Sequence, residues 1–94
     1  MVLNLSFSPR ALADLTAIRR FIAKDDAIVA DRVIARILQS IAMLKHFPIL
    51  GRDGRVPETR ELPIVRLPYF AVYHFPAATE IEVIAIVHER RKLP

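Results

Sequence analysis

The chain has 94 residues, a net charge of +4 and no cysteine, which is one domain's worth of sequence and excludes disulfides, thiol catalysis and sulfur-ligated zinc. A chain of this size buries roughly two thirds of its surface on folding, so one modest core is expected, and a paired nucleotide-binding and substrate domain is excluded. Its pI near 10.1 and mean hydropathy of +0.30, with 53% hydrophobic residues against a usual share of about 45–50%, predict a basic protein with apolar surface left over, suited to an acidic, amphipathic partner.

Residues 2–7 alternate, with Leu3, Leu5 and Phe7 on one face and Val2, Asn4 and Ser6 on the other, as in a strand with one buried face. Nothing in Met1–Leu5 resembles the basic start and small-residue cleavage site of a signal peptide. No run reaches the ~18 apolar residues of a membrane helix, so a cytoplasmic protein without membrane contact is expected. Ser8 and Pro9 end the strand and suit a helix N-cap and first helical position. The helix, residues 9–24, carries Ala11, Leu15, Ile18 and Ile22 as a stripe, with Leu12 and Phe21 expected to widen it.

Asp25 and Asp26 interrupt the pattern, and either suits the cap of a second helix over residues 27–45. Val33, Ile34, Ile37, Leu38, Ile41 and Leu44 form its apolar arc, while Asp31, Arg32, Arg36 and Gln39 take the other side and Met43 an exposed position. So short a connection makes the two helices an antiparallel hairpin. Periodicity stops between His46 and Glu61, in a stretch containing both glycines of the chain. It reads as an ordered loop anchored by Phe47, Ile49, Leu50 and Val56.

Three strands follow, over residues 61–66, 69–75 and 81–87. Pro63 places the first at an edge or a bulge, the near-continuous apolar run of the third suits an interior strand, and residues 76–80 form a hairpin turn. The expected fold is α+β, in the order β-α-α-β-β-β, a small, mostly antiparallel sheet with the helix hairpin packed on one face.

Few residues suggest covalent chemistry. The histidines at 46, 74 and 88 lack metal-ligand spacing, so no metal is expected. Gly51-Arg52-Asp53-Gly54 lacks the lysine and helix of a phosphate loop, and Ser6, Ser8 and Ser40 have no base nearby in sequence. No cofactor is expected. Arginine placement is the remaining signal: Arg52, Arg55, Arg60 and Arg66 fall in the loop and the following strand, and Arg90, Arg91 and Lys92 follow His88. Guanidinium groups fork onto phosphate and carboxylate while keeping their charge.

Several short motifs occur in order: Ser8-Pro9-x-Ala11-x-x-Asp14-Leu15-x-x-Ile18, Phe47-Pro48-x-Leu50-Gly51-Arg52, Arg60-Glu61-Leu62, Pro68-Tyr69, Val72-Tyr73 and Val87-His88-x-Arg90. Together they resemble the ParE/RelE toxin superfamily, bacterial proteins also known as plasmid stabilisation proteins, over essentially the whole chain. The resemblance implies the toxin of a type II toxin–antitoxin pair. It also implies a ParD-like antitoxin whose acidic, amphipathic C-terminal segment wraps the toxin, with Leu12, Ile34 and Leu38 on the hairpin meeting its apolar side chains and Arg19 and Arg66 its carboxylates.

The superfamily splits between gyrase poisons and nucleases that cut mRNA in the ribosomal A site. Lysines occur only at 24, 45 and 92, and none lies in the middle strands, where the nuclease branch concentrates them. The resemblance is therefore to the ParE-like branch, with DNA gyrase as target and Arg52, Arg60, Arg90 and Arg91 as target-binding residues. The alternatives are a RelE-like nuclease using a reduced site of His88, Arg60 and Arg90, or an inactive or differently targeted member.

Overall fold

The computed structural model describes residues 2–90, so Arg91 and Lys92 lie outside the described residues. The elements are β1 (Asn4–Phe7), α1 (Pro9–Ala23), α2 (Ala27–Ala42) with a 3₁₀ turn at Met43–Lys45, β2 (Arg52–Asp53), β3 (Arg60–Pro63), β4 (Tyr69–Ala77) and β5 (Glu80–His88). They build one five-stranded sheet in the order β1-β5-β4-β3-β2. β1 runs parallel to β5 and every other pair is antiparallel.

The caps form as the sequence predicts. Ser8 accepts from the N–H of Ala11 at 3.0 Å with Pro9 in the first turn, and Asp26, rather than Asp25, accepts from Ile28 and Val29 at 2.9 and 3.1 Å. Ile37, Ile41, Leu44 and Ala11 on the helices bury against Ala71, Tyr73, Ile81, Val83 and Ile86 of the sheet, with Leu15, Ile18, Val33 and Ile34 half-buried around them. The other face of the sheet carries a smaller cluster of Phe70, Val72, Ala85 and Val87. Both faces of β5 are apolar because a bulge changes its parity: Val72 pairs with Ala85 and Tyr73 with Val83, leaving Ile84 extra.

Five expectations are corrected. The loop contributes a strand, β2, whose two residues pair with Arg60 and Glu61; two residues are too few to show periodicity. β3 stops at Pro63 rather than residue 66, because the chain turns there, Ile64 donating to Tyr69 O at 2.9 Å and Arg66 adopting φ 67°. β4 continues through Pro76; β3 pairs only as far as Tyr73, so beyond it the proline removes no ladder bond on that side. Leu12 and Phe21 do not widen the buried stripe of α1 but are 53% and 70% exposed. Leu38 on α2 is also exposed, at the border of the apolar arc.

The Ser8-to-Leu15 motif joins α1 to β5. β1 reaches only to Phe7, opposite Val83, and leaves the next stretch of β5 without a strand on that edge, its other edge being paired with β4. There Ser8 Oγ donates to Ile84 O at 2.7 Å, and the N–H of Ile86 donates to Asp14 Oδ2 at 2.9 Å. Between them Ala11 is fully buried, and its small side chain allows the close approach. Asp14→Ala strands the Ile86 N–H and is expected to cost about 1–3 kcal/mol, whereas Asp14→Asn, which retains an acceptor, is expected to cost less; urea unfolding measures both.

Candidate functional site

Three surface features carry the chemistry. The first is the loop between α2 and β3. Tyr73, fully buried in β4, donates from its hydroxyl to Pro48 O at 2.9 Å and accepts from Gly51 N at 3.0 Å. Arg60 reaches back from β3, its Nη1 donating to Asp53 at 3.1 Å and its Nη2 to Ile49 O at 3.2 Å and to Gly51 O. Glu61, 1% exposed, accepts from the N–H of Arg55 at 3.0 Å and from Arg52 Nη2 at 3.4 Å. The guanidinium carbons of Arg52 and Arg55 lie 5.9 and 5.7 Å from the centre of the Phe70 ring and roof the outer apolar cluster.

Polar side chains therefore anchor this loop, and the expected anchors Phe47, Ile49, Leu50 and Val56 are exposed. Arg52 and Arg60, read from the sequence as target contacts, make intramolecular bonds here. Arg60→Ala removes three bonds from the loop and is expected to lower stability by about 1–3 kcal/mol, so circular dichroism melting must accompany any activity measurement on that variant.

The second feature is a groove of about 530 Å³ between α2 and the β3–β4 turn. Val29, Val33 and Leu67 supply its apolar lining and Arg32, Arg36 and Arg66 its charge. Arg32 and Arg36 are one helical turn apart on the same face. Among the described residues none of these three guanidiniums pairs with a carboxylate. Of the residues assigned to the antitoxin from sequence, Arg66 lines this groove, while Leu12 and Leu38 are exposed elsewhere on the hairpin. Ile34 is half-buried against the core, and Arg19 forms an ion pair with Asp31 at 3.0 Å that links the two helices. On sequence alone Arg32 and Arg36 belong to the polar side of α2; their i, i+4 spacing beside Val29 and Val33 is the signal that marks them as a charged groove wall.

The third feature is a cleft of about 590 Å³ between α1 and the end of the sheet, lined by Ala17, Ile18, Phe21, Tyr69, His88 and Arg90. The rings of Tyr69 and His88 meet edge to face at 5.3 Å, and the N–H of Arg90 donates to His88 Nδ1 at 3.1 Å. This brings His88 and Arg90 together but leaves Arg60 apart. His88 stands opposite Tyr69 in the ladder and Arg60 opposite Tyr73, four residues further along β4 or about 13 Å. The reduced nuclease site of His88, Arg60 and Arg90 is not assembled. His74 pairs instead with Glu82 at 2.7 Å. Among the described residues no group of acidic or histidine side chains is arranged to hold a metal ion.

The fold matches a structure titled "Chromosomal ParDE TA system from P. aeruginosa" with a TM-score of 0.82, at 24% identity, over 93% of this chain and 96% of that one. The sequence model of the ParE toxin of the type II toxin–antitoxin system parDE matches residues 5–93, and the chain belongs to that family. Relatives include the putative toxin Y4kP of Sinorhizobium fredii, 36% identical over 91 residues, 97% of this chain and 93% of the relative. Toxin RelE2 of Caulobacter vibrioides is 33% identical over 82 residues, 87% of this chain and 90% of the relative.

Proposed function

We propose that this toxin acts in the cytoplasm by poisoning DNA gyrase and is neutralised by direct binding of a ParD-like antitoxin. The groove between α2 and the β3–β4 turn carries the antitoxin half of this reading. Its apolar lining, and three guanidiniums with no carboxylate partner among the described residues, suit an amphipathic, acidic segment that folds as it binds. The gyrase half is supported by the family match over residues 5–93, by the scarcity of lysine and by the separation of Arg60 from His88. A gyrase poison makes and breaks no bond of its own; it binds the topoisomerase and holds its cleaved DNA complex through surface contacts.

Co-expression with the adjacent reading frame is expected to give one co-eluting complex on gel filtration, and two separate peaks at micromolar concentration would falsify the antitoxin half. The purified toxin is expected to make gyrase accumulate linear plasmid. The similarity to a relative named RelE2 makes ribosome-dependent mRNA cleavage the second reading, and His88→Gln separates the two. Glutamine keeps a hydrogen-bonding side chain but carries no proton at neutral pH, and loss of a general acid or base lowers a rate by about 10²–10⁴. His88→Gln is expected to retain most toxicity; A-site cleavage abolished by this substitution would transfer the assignment to the nuclease.

A further inference from the structure

The cleft beside His88 has no part in the groove proposed for the antitoxin, and its composition is specific. Phe21 stands 70% exposed on α1 and forms one wall with Ala17 and Ile18, while Tyr69 and His88 form the other and Arg90 stands at the rim. Helical spacing carries the face of Ala17 and Phe21 on to exposed Lys24. Among the described residues no carboxylate lines the recess. His88 Nδ1 is occupied by the backbone N–H of Arg90, so the neutral ring carries its proton on Nε2, the nitrogen left to donate. With His88 Nδ1 occupied, Arg90 a donor and Ala17, Ile18 and Phe21 apolar, Tyr69 is the remaining lining residue among those described whose side chain can accept a hydrogen bond.

A nucleobase presents N–H donors as well as acceptors, and in such a recess its donors lose hydration with little return. An apolar aromatic side chain flanked by carboxylates has the opposite balance. Its ring packs against Phe21 and Tyr69 in the offset or edge-on arrangements aromatic pairs favour, and its acidic neighbours meet Arg90 and Lys24. A volume of about 590 Å³ lies within the ~300–1,000 Å³ of formed binding pockets.

We infer that this cleft is an anchor site for an aromatic side chain of a protein partner, set in an acidic segment of that partner. The inference rests on the reading of the chain as one bound by an acidic protein. It adds a second contact region, on the side of the hairpin away from α2, and names the side chain that fills it.

Two short probes test the cleft directly: acetyl-Glu-Trp-Glu-amide and the charge-matched acetyl-Glu-Ala-Glu-amide, titrated into the isotope-labelled toxin and followed by NMR, with AMP as the nucleotide comparison. The tryptophan peptide is expected to give saturable shifts at Phe21, His88 and Arg90 and to bind about tenfold more tightly than the alanine peptide, as an interface anchor does. Phe21→Ala, an exposed position, and Ala17→Trp, which fills the cleft, are each expected to weaken it by about fivefold or more, with unchanged dispersion elsewhere in the spectrum as the fold control. Equal binding of the two peptides, tighter binding of AMP, or indifference to both substitutions overturns the inference.

The co-expressed partner keeps this test separate from the functional proposal. If wild type captures that partner and Ala17→Trp captures it equally well, the anchor fails and the antitoxin reading stands. If wild type captures nothing, the antitoxin reading fails, and the peptide titrations still decide the cleft.

Discussion

Gly51→Ala is expected to destabilise the toxin by about 3 kcal/mol, through overpacking and the loss of a buried hydrogen-bond pair. A Cβ at residue 51 would lie 2.8 Å from Glu61 O, 2.8 Å from the Tyr73 hydroxyl and 2.9 Å from Tyr73 Cε1. The first is backbone of a sheet strand and the others belong to a fully buried ring, so neither yields cheaply. Gly51 does not have positive φ; the position demands space, not an unusual backbone. Relief requires the loop to lift, which breaks the bonds from Tyr73 to Gly51 N and Pro48 O.

At ~4–8 °C per kcal/mol for a domain of this size, the melting temperature is expected to fall by about 12–24 °C. Tyr73→Phe, which leaves both backbone groups unpaired, is expected to cost about 1–3 kcal/mol. Because the two substitutions disrupt the same contact, the double variant is expected to be less destabilised than the sum of the singles. Thermal unfolding of the three variants by circular dichroism measures this, and full additivity would mean that the loop is held elsewhere.

Reversing charge in the α2 groove is expected to have the largest effect on partner capture. Arg32 and Arg36 are exposed and line the groove with Arg66, and none of the three has a carboxylate partner among the described residues. The double variant Arg32→Glu, Arg36→Glu therefore breaks no internal ion pair, and its stability is expected to remain close to wild type. Against an acidic partner it replaces attraction with like-charge contact, which costs several kcal/mol, a loss of about 10²–10³-fold in affinity. Titration calorimetry with the co-purified partner, at two salt concentrations, reads both affinity and its electrostatic share; wild-type affinity with normal folding would remove the groove from the interface.

Much of the architecture follows from local pattern. Alternation of Leu3, Leu5 and Phe7 marks β1, Ser8-Pro9 and Asp26 mark the helix starts, and the spacing of Ile37, Ile41 and Leu44 marks the core face of α2, because strand period, helix period and capping are properties of neighbouring residues. The ordered motifs over the whole chain likewise carried the ParE/RelE resemblance, and hence the toxin class. Pairings between distant residues left no such imprint. The parallel seat of β1 beside β5, the two-residue β2, and the bonds of Asp14 to Ile86 and of Ser8 to Ile84 join positions more than seventy residues apart or too few to show a period.

The roles of the arginines depended on tertiary structure in the same way. Composition makes Arg60 and Arg32 equivalent, but Arg60 lies where loop carbonyls and Asp53 converge on it, while Arg32 opens onto a groove formed with a turn more than thirty residues away. Leu12, Phe21, Phe47 and Ile49 are exposed although apolar, because which neighbours pack over a side chain is set by the tertiary fold and not by its own hydrophobicity. A guanidinium or an aromatic ring has the same intrinsic chemistry in the core and at the surface, and only the packed neighbours of each side chain decide whether that chemistry is spent on the fold or remains for a partner.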